Sequence, residues 1–513
     1  MGVIYKIEKR RILPRWRSAA DETSSLAPAI RADAYQGSSS LTADLSEQQD
    51  SWATHRTLSH ASDLLTASQI IGKEAGYLDV AKFVTENAKP NSLISRIAQS
   101  TLRSERIAEH AHRGPLAFKK VSLGSHEQSI AQLRRLLKVE ERNPIAWVEL
   151  ARHFVIIGES KKAERAVLTA LAVDKNSRFV VRSASRFFHH TGDPEHAIKI
   201  LQHSDRFKTD PWIMASEIAF ALLLGRQTRM AKKGLELVEE RVFGDAHITE
   251  LASSLGTLEL EHGKLKNARR LAAISMRMPN DNSFAQAMWN REAFDIPRLR
   301  FETMTIPMAW EAKAQLQYQN EEFRDAISHL ECWRLDEPFS VRPIQLLSYV
   351  HGAIFQEWSR SIDIIKEARQ FHSEDIVLQN NLVYNYLMLG QLEEAEKELP
   401  ILISRIESVS EARKAVASAT WGLFMFRKGE FEYGRDLYRK AIKAITKTGN
   451  DYLRAIAVSN YVREELLAME SWEVVEAALK MEDRYSRPRT EYDVRQLVER
   501  NDVLRSKRVQ QES

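Results

Sequence analysis

Apolar positions first settle into a helical rhythm near Leu64. Leu64, Leu65, Ile70, Ile71, Leu78, Val80, Ala81, Phe83 and Val84 recur at the spacing of one helix face. Lys89-Pro90-Asn91 breaks that run, and Leu93, Ile94, Ile97 and Leu102 form the next stripe. From about Ser125 a longer period takes over, on the scale of a helix pair. Glycines that close an apolar helix stand at Gly158 and Gly192, 34 residues apart, then at Gly225 and Gly263, and again at Gly390 and Gly429. Five residues after most of them comes an alanine (Ala163, Ala197, Ala268, Ala395), and Gly434 occupies the same place after Gly429. A small residue there lets the second helix of a pair approach the first. The pattern predicts an all-α chain of antiparallel helix pairs in series.

Individual units carry more detail. The first has Trp147, Leu150, Ala151, Phe154, Gly158, Ala163, Val167 and Ala170; the second has Val181, Ala184, Phe188, Gly192, Ala197 and Leu201. Leu382, Tyr386, Gly390, Ala395 and Leu399 repeat the order, as do Trp421, Gly422, Gly429, Gly434, Tyr438 and Ala441. A further unit at Trp310, Ala314, Ala326 and Leu330 ends at Pro338. This succession of large, small, aromatic, Gly and small residues resembles the tetratricopeptide repeat over roughly residues 125–480. The resemblance implies a right-handed superhelical α-solenoid of stacked antiparallel helix pairs, whose first helices line a concave face.

Outside that array the chain changes character. Residues 1–60 begin with Lys6, Lys9, Arg10, Arg11, Arg15 and Arg17 and continue Ser-rich, so a disordered basic segment is expected there. Residues 61–124 read as N-terminal helices, and 481–513 as a charged cap or tail. Between Gly263 and the next turn near Glu321 lie 58 residues, more than one repeat needs, which places an insert near 282–306.

A chain of 513 residues exceeds what one globular core serves, in keeping with an extended array. No apolar run is long enough to span a bilayer and no secretory signal is visible. The single cysteine, Cys332, allows no internal disulfide and sits in an apolar helical stretch, where a buried small residue is expected. Together these features point to a cytoplasmic protein. There is no Gly-Lys-Ser/Thr phosphate loop, no His-Glu-x-x-His pair and no Gly-x-Ser-x-Gly elbow, so no enzymatic role and no cofactor are expected. Arg103 and Arg106 before His110 and His112 resemble the signature of some RNA-cleaving helical domains, a spacing that chance readily supplies. His189, His190, His196 and His203 lack an accompanying carboxylate or cysteine at metal-ligand spacing.

The net charge of +4 conceals a basic block: residues 91–190 carry 18 basic and 9 acidic side chains. Carried onto the first helices, the resemblance turns Arg152, Arg182 and Arg186 toward the concave face, with His189 one turn beyond. These four are the candidate partner-binding residues, and an acidic segment of a protein partner is the expected ligand. The expected function is a non-catalytic scaffold or adaptor. A nucleic-acid-binding or regulatory subunit using block 91–190 is the alternative.

Overall fold

The glycines that punctuate the sequence are the points at which one helix turns into the next. A computed structural model describes residues 10–18, 41–70, 74–90, 92, 94–95, 98–99, 101–102, 123–240, 242–294, 306–369, 372 and 374–512. Gly158, Gly192, Gly225, Gly263, Gly390 and Gly429 all have positive φ, between 63° and 85°, a conformation that costs a residue with a Cβ. The residue after each returns its N–H five positions back, as Glu159 does to the carbonyl of Phe154 (2.8 Å) and Asp193 to that of Phe188 (2.8 Å). After all of them but Gly225 the second helix starts two residues later. Many first helices carry a side-chain cap, such as Asn143 on Ala146 N and Asp210 on Ile213 N.

All regular structure among the described residues is helical. The chain divides into two compact units, one of Arg10–Leu316 with Cys332–Phe339, the other built on Gln317–Glu331 with Ser340–Ser513.

In the N-terminal unit, α1 (Leu41–Thr54), α2 (Leu58–Ile70) and α3 (Leu78–Asn87) enclose a small core in which Trp52 meets Phe83 edge-on at 5.0 Å. Helix α4 (Leu123–Val139) leads into the pairs α5 (Pro144–Ile156) with α6 (Ser160–Val173), and α7 (Arg178–His190) with α8 (Pro194–His203). These are followed by α9 (Pro211–Leu223) with α10 (Ala231–Glu240), and α11 (Asp245–Glu261) with α12 (Leu265–Ser275). The next first helix is α13 (Asp281–Trp289), and after the short α14 (Arg291–Phe294) comes α15 (Trp310–Gln319). Each of α5, α7, α9 and α11 packs on the first helix that follows it, and α13 shares a buried cluster with α15, so they form one row. Ala163, Ala197 and Ala268 are fully buried, as the small-residue positions require.

In the C-terminal unit, α16 (Phe323–Asp336), whose last turn belongs to the N-terminal unit, precedes α17 (Val341–Tyr349) and α18 (Trp358–Arg369). The pairs α19 (Ile376–Met388) with α20 (Leu392–Ser404), α21 (Glu411–Lys428) with α22 (Phe431–Lys447), and α23 (Asp451–Ala468) with α24 (Trp472–Tyr485) complete the stack. Gly422 and Gly434 let α21 and α22 close on each other: a Cβ at 434 would stand 2.7 Å from Phe426 Cδ2 and 3.1 Å from the Gly422 carbonyl. The charged final segment is a helix, α25 (Tyr492–Glu512), packed on α23 through buried Val494, Val498 and Asn501.

The all-α solenoid of stacked helix pairs is therefore the fold. Two details depart from the sequence reading. Residues 10–18 and the helices from Leu41 to Ile70 fall in or near a stretch expected to lack order, yet Ile12, Pro14 and Trp16 of the first are buried. The apparent insert begins with α13, a member of the first-helix row, while 295–305 lie outside the described residues.

Candidate functional site

Arg10 to Ser18 runs without regular secondary structure, with Arg10, Ile12, Pro14 and Trp16 buried and Arg11, Leu13 and Arg15 less so. That period of two is the signature of an extended chain with one face covered. The covering face is the first-helix row of the N-terminal unit. Asn282 and Gln286, one turn apart on α13, donate their amides to main-chain carbonyls of the segment, at 2.9 Å to Leu13 and 3.1 Å to Arg10. Helical side chains thus read the segment's backbone as well as its side chains.

The arginines are held more tightly still. Arg10 donates Nε and Nη2 to the two oxygens of Glu311 (3.0 and 2.9 Å), with side chains only 1% exposed, and its Nη1 reaches Gln286 Oε1 at 2.9 Å. Arg15 spans three carboxylates, Asp281 (2.9 Å), Glu311 (2.6 Å) and Glu337 (2.8 Å). Arg17 forks onto Asp336 (2.9 and 2.8 Å) and also donates to Asp281 at 2.8 Å. Between them Trp16 is fully buried, 5.3 Å from the ring of Phe339 and edge-on to Phe187 at 6.3 Å. At the end of the segment Ser18 Oγ donates to Glu149 of α5.

The electrostatics follow from this contact set. Burial opposes ionisation of Asp281, but Arg17 and Arg15 outweigh it and hold its carboxyl below the usual range. Glu337 behaves alike, with Arg15 and Arg186 outweighing burial. Asp336 is the exception: burial wins over Arg17 and raises it. Taking four carboxylates out of water is tolerable only because guanidinium groups satisfy them.

The predicted residues lie behind this face rather than on open ground. Arg182 of α7 donates to Glu250 at 2.6 Å and stacks over Trp212 at 4.8 Å. Glu250 in turn accepts from Asn282, the residue that holds the Leu13 carbonyl, so Arg182 supports the segment at second hand. Arg186 sits over the Phe339 ring at 5.6 Å, on which Trp16 also packs. His189 meets Phe220 edge-on at 5.8 Å. Arg152 of α5 is buried beside His126 and His153, whose rings approach to 3.0 Å between Nδ1 atoms. Burial, with Arg152 adding to it, lowers the His153 pKa to about 4. The structure thus brings Arg182 and Arg186 to the back of the segment and leaves Arg152 with the histidine pair.

Asp281, Asn282, Gln286, Glu311, Asp336 and Glu337 were not singled out from sequence. The signal available was an arginine and apolar alternation at 10–17, together with carboxylates and amides where a first helix would otherwise be apolar. Of the other candidates, His196 stacks on Phe188 and His203 binds the carbonyl of Lys199. Among the described residues no group of three or more His, Cys, Asp or Glu is placed to hold a metal ion. Arg103, Arg106, His110 and His112 lie outside the described residues. Cys332 is buried, and no described helix is long and apolar enough to cross a membrane.

No family model and no curated relative matches the chain. Among solved structures it is similar to the APC/C hetero-tetramer Cut9-Hcn1, at 11% identity and a TM-score of 0.42, covering 89% of this chain and 92% of that one. It is also similar to yeast Tom70 (10%, TM-score 0.31, 79% and 96%) and to the human IFIT1 dimer with PPP-AAAA (11%, 0.33, 76% and 95%). Identities this low and TM-scores below 0.5 transfer no partner or ligand to this chain.

Proposed function

We propose that the protein is a non-catalytic scaffold of tetratricopeptide-like helix pairs that holds an extended segment of a partner protein against the first-helix row of its N-terminal unit. The observation that carries this reading is the seating of Arg10–Ser18, whose backbone and arginines are both recognised by helical side chains. In this structure the chain's own segment is the occupant. A partner segment of the same chemistry, arginines alternating with apolar and aromatic residues, takes its place.

That assignment differs in sign from the acidic segment expected from the +9 block. An acidic ligand at Arg182 would compete with Glu250, which already accepts from that guanidinium at 2.6 Å. Reversing Arg182 to Glu would also set two carboxylates together, so loss of binding in that variant would report misfolding as readily as lost contact.

The test is a fluorescent peptide with the sequence of Arg10–Ser18, titrated against the chain lacking residues 1–18. Saturable one-to-one binding is expected, weakened at least tenfold by Asn282→Ala with Gln286→Ala, and at least tenfold weaker with the intact chain. A truncated chain that keeps its helical circular dichroism but ignores the peptide would refute the reading. Affinity purification with nuclease and moderate salt then identifies the partner; recovery of nucleic acid alone would favour the alternative role.

A further inference from the structure

The C-terminal unit contains a cavity of about 170 Å³ lined by α17, α19, α21, α22, α23 and α25. Its lining includes the apolar side chains of Val416, Leu423, Ile456 and Leu497. Three guanidiniums, Arg413, Arg463 and Arg500, also line it, against one carboxylate, Asp493. Asp493 is engaged: it accepts from the hydroxyls of Tyr349 and Tyr452 and from its neighbour Val494 N–H. The carboxylate nearest Arg463 is Glu464, at 2.7 Å, and Arg427 shares it at 2.9 Å. Arg463 also donates to the Tyr384 hydroxyl at 3.2 Å, yet its Nη2 stays buried without a hydrogen-bond partner.

A buried guanidinium nitrogen without a partner thus belongs to a residue lining a small, largely apolar space. Burial, with Arg463 adding to it, lowers the pKa of Arg500 despite Tyr384, Tyr492 and Glu499. An anion drawn into such a site meets fork-shaped donors in a low-dielectric setting, where the interaction is strong. Size limits the rest of the ligand. A dry cavity of roughly 150 Å³ takes one benzene ring, and sites for larger molecules run to about 300 Å³ and above.

We propose that this cavity binds a small organic anion, a carboxylate or phosphate carried on a single aromatic ring or short branched chain, with Arg463 and Arg500 receiving the charge and Val416, Leu423, Ile456 and Leu497 receiving the apolar body. Tyr384, hydrogen-bonded to both Arg463 and Asn460, positions the Arg463 guanidinium. The site lies in a different unit from the segment-binding face and does not depend on it.

The experiment is isothermal titration of the intact chain with phenylacetate, phenyl phosphate and benzyl alcohol, a neutral analogue of similar size. At least one anion is expected to bind one-to-one and at least tenfold tighter than the alcohol, with affinity falling as salt rises. Tighter binding of phenylacetate identifies a carboxylic acid as the natural class, and of phenyl phosphate a phosphate ester. Arg500→Met should weaken the anion at least tenfold, and Arg500→Lys should recover part of the loss because it keeps the charge. Equal binding of all three compounds, or no binding of either anion at millimolar concentration, overturns the proposal without recourse to any variant.

Discussion

Each unit builds a row of first helices, and the side chains gathered at the candidate site of one are opposite in charge to those at the cavity of the other. In the N-terminal unit the row presents Asp281 and Glu311, joined by Asp336 and Glu337, and the chain supplies Arg10, Arg15 and Arg17 to meet them. In the C-terminal unit the row presents Arg413, Arg463 and Arg500 around a cavity, with carboxylates that are shared or otherwise engaged. Helix-pair architecture evidently fixes where polar side chains converge but not their sign. In one unit the charge is settled by a segment of the same polypeptide. In the other, one guanidinium nitrogen, Nη2 of Arg463, remains buried without a partner.

The largest effect should come from removing one side of the settled charge. Arg15→Met leaves Asp281, Glu311 and Glu337 without a shared donor, and breaking a buried pair in this way costs about 3–5 kcal/mol. Urea denaturation with hydrogen exchange should place the loss in the N-terminal unit; a change under about 1 kcal/mol would mean the segment is only loosely held.

A buried carboxylate without a cation of its own should behave in the opposite sense. Burial raises the Glu482 pKa to about 7, although Asn501 donates to it at 2.7 Å and Arg487 lies nearby, while Asp502 adds to the rise. The folded state then holds a proton the unfolded chain has released, so stability falls as pH climbs from about 4.5 to 7 and levels off above. Asp281 and Glu337 are depressed instead, so their contribution is present above the unfolded carboxylate pKa and is lost on acidification through the folded one. Glu482→Gln should stabilise the C-terminal unit by about 2–3 kcal/mol at pH 8 and by little at pH 4. A pH-independent gain would point to packing.

Arg463→Met sharpens the contrast at smaller scale. Its carboxylate partner keeps Arg427, so the loss should be about 1–2 kcal/mol rather than the larger cost at Arg15, read from the same denaturation curves. The reference point is an exposed pair. Lys397→Ala, which removes an i,i+3 contact to Glu394 at 2.8 Å, should leave the denaturation midpoint unchanged within error.

The array was legible where its chemistry is local. A glycine closing a first helix and a small residue five positions on are readable because both serve one turn. Where the turn is made without glycine the period fades: Glu321, Gln356 and Met469 adopt φ of 64°, 58° and 47° in that role. Much of the apparent gap after Gly263 is of this kind, since α13 and α15 continue the row without the expected signature. The site was read only in part. Arg182 pairs with Glu250 and Arg186 packs over Phe339, while the segment at 10–18, with few large apolar residues, reads as part of a disordered start.

What the sequence determined by itself, then, is the helix pair: caps, left-handed turns and small-residue contacts all act within a few residues. The tertiary structure alone decided the partners of Arg10, Arg15 and Arg17, which lie between 264 and 322 positions along the chain. It also decided the sign of the charge each row presents. A count of side chains in a block cannot tell a cation facing solvent from one already paired across a fold, and Arg182 beside Glu250 is the second kind. Local chemistry repeats and can be read; long-range pairing depends on which residues the stacking of helices brings within 3 Å.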